Sequence, residues 1–123
     1  MARITLKGNP FSTSGDLPKV GAPAPAFTLA TESLGALTSG ELAGKRAILN
    51  IFPSIDTPTC ATSVRRFNAD GAKLPGTVVV CVSMDLPFAL KRFCGAEGIN
   101  GVTTASAFRS TFATDYGLRI TDG

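Results

Sequence analysis

The sequence contains no histidine and no tryptophan, and it has only three cysteines among its 123 residues. A cysteine protease or acyltransferase needs a histidine base beside its cysteine, so both classes are excluded. The cysteines stand at positions 60, 81 and 94, without the close pair that a zinc site or a redox CxxC motif requires. Three cysteines are also too few for a disulfide scaffold, and in a reducing compartment a disulfide is more often transient than structural.

Long hydrophobic runs are absent as well. No apolar run approaches the roughly 18 residues of a membrane span, and the opening residues MARITLKGNPFSTSG lack the apolar core of a signal peptide. We therefore expect a cytoplasmic protein without a membrane partner. The net charge is +3 and the sequence pI is about 9.0. The basic residues nevertheless form scattered pairs instead of a stripe with interleaved aromatic residues, so no nucleic-acid partner is expected.

The length and the 44% hydrophobic content predict one globular domain over residues 1–123. Alternating, helical and turn patterns predict its elements. In chain order these are an N-terminal hairpin with a strand at 3–6 and a turn at 7–10, an extended segment at 20–31, a helical turn at 37–44, a strand at 47–52, a helix at 60–71, a strand at 77–83, a helix at 85–98, a short strand at 101–106 and a helix at 107–117. This alternation predicts an α/β sandwich with parallel strands.

For two of the predicted elements, the sequence also predicts which side chains are buried and, in the helix, which residue is the cap. The run AILNIF at 47–52 is short and apolar throughout, which is typical of a strand buried on both faces. In the helix at 85–98, Asp85 is the expected N-terminal cap, and Phe88, Ala89 and Phe93 form the expected apolar face.

The segment PSIDTPTC, residues 53–60, follows the strand at 47–52. Loops at the carboxyl ends of parallel strands are where ligands bind. With Thr57 as the cap and Pro58 as the first helical residue, Cys60 falls in the first turn of a helix. Unpaired N–H groups and the helix dipole there favour a thiolate, which is the nucleophilic form. The hydroxyl of Thr57 can donate to a thiolate or to a bound oxygen, and Pro53 stiffens the approach and shields the sulfur. The alternative is that Cys60 is a small apolar residue packed at a helix start.

Pro53, Thr57 and Cys60 have the spacing of the peroxiredoxin active-site motif, proline, three residues, threonine, two residues, cysteine. The stretches NIFPSIDTPTCATSVRRFN, VSMDLPFALKRFCGAEG and DYGLRITDG resemble the thiol peroxidase branch, the atypical two-cysteine peroxiredoxins of bacteria. The N-terminal hairpin followed by FTL is also similar, so the resemblance runs from about residue 3 to the last residue. It implies a thioredoxin-like sandwich with an N-terminal β-hairpin.

The resemblance also implies roles for the cysteines. Cys60 corresponds to the peroxidatic cysteine, which attacks a hydroperoxide and becomes a sulfenic acid. Cys94 corresponds to the resolving cysteine, which closes a disulfide with it inside one subunit. Near the end of its helix, beside Gly95, Cys94 is expected to be mobile, and the alternative is a thiol packed beside Phe93. We expect the first turn at Cys60 and the end of the Cys94 helix to unwind in each cycle. Cys81, inside a valine-rich strand, is expected to be buried and inert.

The resemblance implies a thiol-dependent peroxidase that uses hydrogen peroxide and organic hydroperoxides, is recycled by thioredoxin, forms a homodimer and needs no metal, haem or flavin. The family's arginine, its last strands and its final helix lie beyond Gly123, and Arg65 and Arg66 are poorly spaced substitutes. We therefore expect the chain to be a fragment of a longer protein, poorly soluble and slower than an extended version. The alternative is a truncated thioredoxin-fold module that acts as a redox sensor or binding domain.

Overall fold

The computed structural model describes residues 3–6, 8–42, 44–71, 73–99 and 101–120. The chain divides into two compact units, one of Met1–Phe27 with Ser110–Gly123 and one of Thr28–Arg109. The single domain over 1–123 stays a prediction.

The strands are β1 Arg3–Leu6, β2 Asn9–Ser12, β3 Thr28–Thr31, β4 Ala36–Thr38, β5 Arg46–Ile51, β6 Thr77–Ser83 and β7 Thr103–Ser106. The helices are α1 Pro58–Gly71, α2 Pro87–Glu97 and α3 Phe112–Asp115, with a 3₁₀ turn at Ser39–Leu42.

The smaller unit contains the N-terminal hairpin and α3. Strands β1 and β2 pair antiparallel, which confirms the hairpin, but β2 begins at Asn9, inside the predicted turn at 7–10. The helix predicted over 107–117 is wrong in extent, because only Phe112–Asp115 is α-helical. The rings of Phe112 and Tyr116 stack at 4.4 Å, and the edge of Phe27 meets Phe112 at 5.5 Å. These aromatic contacts form the core of this unit.

The larger unit is a five-stranded sheet in the order β4-β3-β7-β6-β5. Strands β5, β6 and β7 run parallel, as predicted, whereas β3 and β4 are antiparallel, so the sheet is mixed. β6 is flanked on both sides, and its residues 79–83 are buried. The expectation that 47–52 is buried on both faces is wrong, because β5 is an edge strand whose side chains are half-buried or exposed.

Helices α1 and α2 pack on this sheet through a small number of apolar side chains. Val64 of α1 and Leu90 of α2 are buried in one cluster with Phe52, Ile55, Val79 and Cys81. Phe88 was expected on the apolar face of α2, but its side chain is 62% exposed. Phe93 packs half-buried against this cluster, as expected, and the buried residues of the helix are Pro87, Leu90 and Cys94, which recur at helical spacing. No helix in the described ranges has the length and apolar character that crossing a bilayer requires.

Candidate active site

The carboxyl ends of three parallel strands place the candidate site. In register, Ile51 of β5 pairs with Val82 of β6, and Ser83 of β6 pairs with Ser106 of β7, so the three strands end side by side. A loop over residues 52–57 leads from β5 into α1, and a short segment at 84–86 leads from β6 into α2. The two helices that carry Cys60 and Cys94 therefore both start at this edge of the sheet.

Cys60 is the third residue of α1, and its side chain is half-buried against the apolar cluster of the larger unit. The helix begins at Pro58, and the backbone carbonyl of Thr57 accepts the first helical hydrogen bond, from the N–H of Ala61 at 2.9 Å. Thr57 as the cap and Pro58 as the first helical residue are therefore confirmed. The carbonyl of Cys60 accepts from the hydroxyl of Ser63 at 2.8 Å, which fixes the backbone of this turn.

Thr57 and Pro53 lie in the loop before the helix. The hydroxyl of Thr57 donates to the carbonyl of Ser54 at 3.0 Å. A hydroxyl has one proton, so donation to a sulfur or to a bound oxygen requires this group to rotate away from Ser54. Pro53 is exposed and two residues beyond the end of β5. The predicted roles of Thr57 and Pro53 stay predictions.

Asp85 is the site residue whose position the sequence pattern did not predict. It was expected to cap α2, but the N-cap is Leu86 and no side chain caps this helix. The carboxylate of Asp85 turns instead to the loop before α1. Its Oδ1 accepts from the hydroxyl of Ser54 at 2.7 Å, and its Oδ2 accepts from the N–H of Ile55 at 2.7 Å. Pro87 is the first helical residue, which leaves Asp85 one position too early to be the cap.

Cys94 lies on the buried face of α2, and its side chain is 8% exposed. Its thiol donates to Oγ1 of Thr104 at 3.9 Å, and the hydroxyl of Thr104 donates to Oε1 of Glu32 at 2.7 Å. Burial raises the pKa of Cys94 to about 11; the hydrogen bond with Thr104 opposes this rise and the carboxylate of Glu32 adds to it. Cys94 is therefore a neutral thiol in the folded chain at physiological pH.

Cys81 is fully buried in β6. The side-chain amide of Asn50 donates to its sulfur at 3.7 Å, and burial raises the pKa of this thiol. A buried neutral thiol is not nucleophilic, so the structure confirms the expected burial of Cys81. All three cysteines are free thiols.

Three ion pairs join charged side chains on or beside the two helices. On α1, Arg65 donates to Glu97 of α2 and Arg66 to Asp70 at 2.7 Å. Arg92 of α2 lies 3.6 Å from Asp56 in the loop before α1. Within the described ranges, no group of three histidine, cysteine, aspartate or glutamate side chains could hold a metal ion.

The chain, with its mixed sheet and a cysteine in the first turn of a helix, matches a known family. The Redoxin family model matches residues 19–123. The chain therefore belongs to the redoxin family. A peroxiredoxin-like protein of Aquifex aeolicus has a crystal structure that superposes with a TM-score of 0.92 at 40% identity, over 98% of this chain and 71% of that one.

Curated relatives show to which branch of the family the chain belongs. The thiol peroxidase of Mycobacterium tuberculosis is 59% identical over 123 residues, which is 100% of this chain and 74% of that protein. The thiol peroxidase of Corynebacterium glutamicum is 53% identical over 118 residues, 96% of this chain and 72% of that protein. The chain is thus a member of the thiol peroxidase branch of the peroxiredoxins, with a thioredoxin-like fold and the function of a thiol-dependent peroxidase.

Proposed function

We propose that Cys60 is the peroxidatic nucleophile of this thiol peroxidase and that Cys94 is its resolving partner. The observation that carries the proposal is the difference among the three free thiols. Cys60 lies half-exposed in the first turn of a helix, whereas Cys81 and Cys94 are buried. A reactive cysteine needs both partial exposure and a helix start or a cation that favours its thiolate. Cys60 meets both requirements.

The proposed first step is attack of the Cys60 thiolate on one oxygen of a hydroperoxide. A sulfur–oxygen bond forms, the oxygen–oxygen bond breaks, and the departing alkoxide or hydroxide takes up a proton to leave as alcohol or water. The sulfur is oxidised by two electrons to a sulfenic acid, and the peroxide is reduced by the same two electrons. Rotation of the Thr57 hydroxyl away from Ser54 would let it donate to the reacting oxygen. For Pro53 we propose that its rigid ring stiffens the approach to the sulfur.

The second step is condensation of the Cys94 thiol with the sulfenic acid of Cys60, which forms a disulfide and releases water. Cys94 is buried and hydrogen-bonded to Thr104, so it must leave this position to reach another sulfur. We infer that the end of α2 and the first turn of α1 unwind for this step. The disulfide is then reduced by an external dithiol, for which we propose thioredoxin.

We further propose that the chain acts in the cytoplasm on hydrogen peroxide and organic hydroperoxides as a homodimer, without a metal, haem, flavin, nucleic-acid or membrane partner. Three exposed apolar side chains support self-association. They stand at alternate positions at the start of α2: Met84, Leu86 and Phe88. Sedimentation of the unmodified chain and of a Leu86→Ser, Phe88→Ser variant tests this part. The unmodified chain should sediment as a dimer and the variant as a monomer, and a monomeric unmodified chain would contradict it.

The central test is the mass of the protein after treatment with one equivalent of hydrogen peroxide. The unmodified chain should lose two hydrogen atoms as the disulfide closes. Cys60→Ser should show no change, and Cys94→Ser should gain one oxygen atom as the sulfenic acid of Cys60 accumulates. Cys81→Ala is the matched control and should behave as the unmodified chain. Retention of the two-hydrogen loss in Cys60→Ser or in Cys94→Ser would overturn the assignment.

A further inference from the structure

The carboxylate of Asp85 collects hydrogen bonds from two different segments of the chain. Ser54 Oγ donates to Oδ1, and the N–H of Ile55 donates to Oδ2, each at 2.7 Å. The hydroxyl of Ser83 also donates to Oδ2 at 2.7 Å. Hydrogen bonds to an ionised carboxylate are about twice as strong as those between neutral groups. The loop that leads to Cys60 is therefore attached to one side chain of the neighbouring segment.

The backbone of Asp85 is itself held by hydrogen bonds to buried serines at the ends of two strands. Ser83 and Ser106, the last residues of β6 and β7, are both buried. The hydroxyl of Ser106 donates to the backbone carbonyl of Asp85, and the N–H of Asp85 donates to Oγ of Ser83 at 3.3 Å. Asp85 thus connects the carboxyl ends of three adjacent strands, with the loop after β5 attached to the ends of β6 and β7.

The connection continues from Asp85 to the reactive turn. The carbonyl of Ser54 accepts both the N–H of Thr57, at 3.3 Å, and its hydroxyl, at 3.0 Å. The carbonyl of Thr57 in turn accepts the N–H of Ala61, which is the first hydrogen bond of α1. A displacement of Ser54 therefore moves the cap of the helix and the start of the turn that holds Cys60.

We propose that Asp85 is a positioning residue for Cys60, which fixes the loop at Ser54 and Ile55 so that the sulfur and the Thr57 hydroxyl meet the peroxide in line. This inference rests on the proposed role of Cys60. The bonds of Asp85 lie before Thr57, so the first turn of α1 can unwind for disulfide closure while they remain. Asp85 consequently serves the peroxide step and not the closure step.

The informative substitution is Asp85→Asn. The amide keeps one acceptor oxygen, but its NH₂ group can only donate, so a serine hydroxyl that faces it must reverse from donor to acceptor, and the negative charge that strengthens all three bonds is lost. Ser54→Ala is a milder variant that removes the bond to Oδ1 and, within the loop, the acceptor of the Asp56 N–H at 3.2 Å. Asp56→Asn is the matched control, because Asp56 lies in the same loop and carries the same charge but is exposed beside Arg92.

The experiment measures two rate constants for Cys60 in each variant, oxidation by hydrogen peroxide and alkylation by iodoacetamide, with the quenched samples analysed by mass. Asp85→Asn should lower the peroxide rate constant by about tenfold or more, as expected for a misplaced reacting group, and change alkylation far less. Ser54→Ala should give a smaller loss, and the double variant should be no slower than Asp85→Asn, because both act on one connection. Asp56→Asn should match the unmodified chain.

The outcomes separate this inference from the proposed function. If Cys60 of the unmodified chain reacts with peroxide no faster than free cysteine, both the proposed function and this inference are contradicted. A fast unmodified chain with equally fast Asp85→Asn and Ser54→Ala variants overturns the inference alone. So does a loss that is equal for peroxide and iodoacetamide, because it would reflect a general loss of reactivity of the Cys60 sulfur and not a misplaced peroxide. Should Asp85→Asn not fold, the ratio of the peroxide rate constant to the iodoacetamide rate constant in Ser54→Ala decides instead.

Discussion

The hydroxyl of Thr104 donates to Oε1 of Glu32 at 2.7 Å while its oxygen accepts from the thiol of Cys94. A carboxylate therefore stands one hydroxyl group away from the sulfur that we assign to resolution. Negative charge at this distance disfavours a thiolate, and it adds to the larger effect of burial in raising the pKa of Cys94 to about 11. The folded chain keeps Cys94 protonated until α2 opens.

Replacement of Glu32 by glutamine should lower the pKa of Cys94. The charge that opposes the thiolate is lost, but burial remains the larger cause, so the value should stay above the ordinary 9.0. The ultraviolet absorbance of the thiolate reports this titration in a Cys60→Ser, Cys81→Ala background, where Cys94 is the single cysteine. Glu97→Gln is the control, since that carboxylate is exposed and pairs with Arg65. An unchanged or higher pKa in Glu32→Gln would show that Glu32 does not act on this thiol.

The raised pKa of Cys94 predicts that the unmodified chain loses stability in alkali. Below pH 9 the thiol of Cys94 is protonated in both the folded and the unfolded chain, and its contribution to stability is complete. As the pH rises from 9.0 towards about 11, the unfolded chain releases this proton first, so the free energy of unfolding falls. The fall amounts to about 1.4 kcal/mol for each pKa unit that separates the two states.

Urea denaturation across this pH range measures the effect. Cys81 also has a raised pKa and titrates in alkali, so the comparison that isolates Cys94 is the unmodified chain against Cys94→Ala. The two stability curves should converge as the pH rises through the window. Curves that stay parallel would mean that Cys94 has the same pKa in both states.

Local sequence patterns predicted those parts of the site that local chemistry determines. Thr57 before Pro58 predicts a helix start, and the structure has it there. The valine-rich run around Cys81 predicts a buried strand, and β6 is one. In both cases the residues that decide the structure are neighbours in the sequence.

The position of Asp85 could not be predicted in this way. The sequence DLP favours a helix cap, but the partners of the carboxylate, Ser54 and Ile55, are 31 and 30 residues away. The order of strands is equally non-local. The run at 47–52 is as apolar as a central strand, but in the sheet of the described residues β5 pairs with β6 alone, which makes it an edge.

Cys81 should be dispensable for the redox cycle. It is fully buried in β6, where its sulfur accepts from Asn50, and burial raises its pKa. Cys81→Ala should therefore retain the loss of two hydrogen atoms after peroxide, while the free energy of unfolding decreases by about 1 kcal/mol as for a typical core truncation. The measurements are mass after peroxide and urea denaturation of the reduced protein. Disappearance of the two-hydrogen loss in a folded Cys81→Ala variant would assign this thiol a part in the cycle.

Two glycines provide a matched pair for testing whether α2 unwinds. A Cβ at Gly95, next to Cys94 in α2, would meet nothing within 4 Å, whereas a Cβ at Gly71, the last residue of α1, would lie 2.6 Å from Cγ2 of Val79. Gly95→Ala should stabilise the helix by about 1 kcal/mol. Gly71→Ala should destabilise the fold by roughly 1–3 kcal/mol, because Val79 must shift in a packed core.

Gly95→Ala should also slow the closure of the disulfide. If α2 must unwind before Cys94 reaches Cys60, then each kcal/mol added to the helix lowers the opened population about fivefold. Quench-flow sampling with mass analysis separates the sulfenic acid from the disulfide and gives both rate constants. The peroxide step should be unchanged in Gly95→Ala, and closure should not be slowed in Gly71→Ala. A stabilised Gly95→Ala variant that closes its disulfide at the unmodified rate would show that this part of α2 stays helical during resolution.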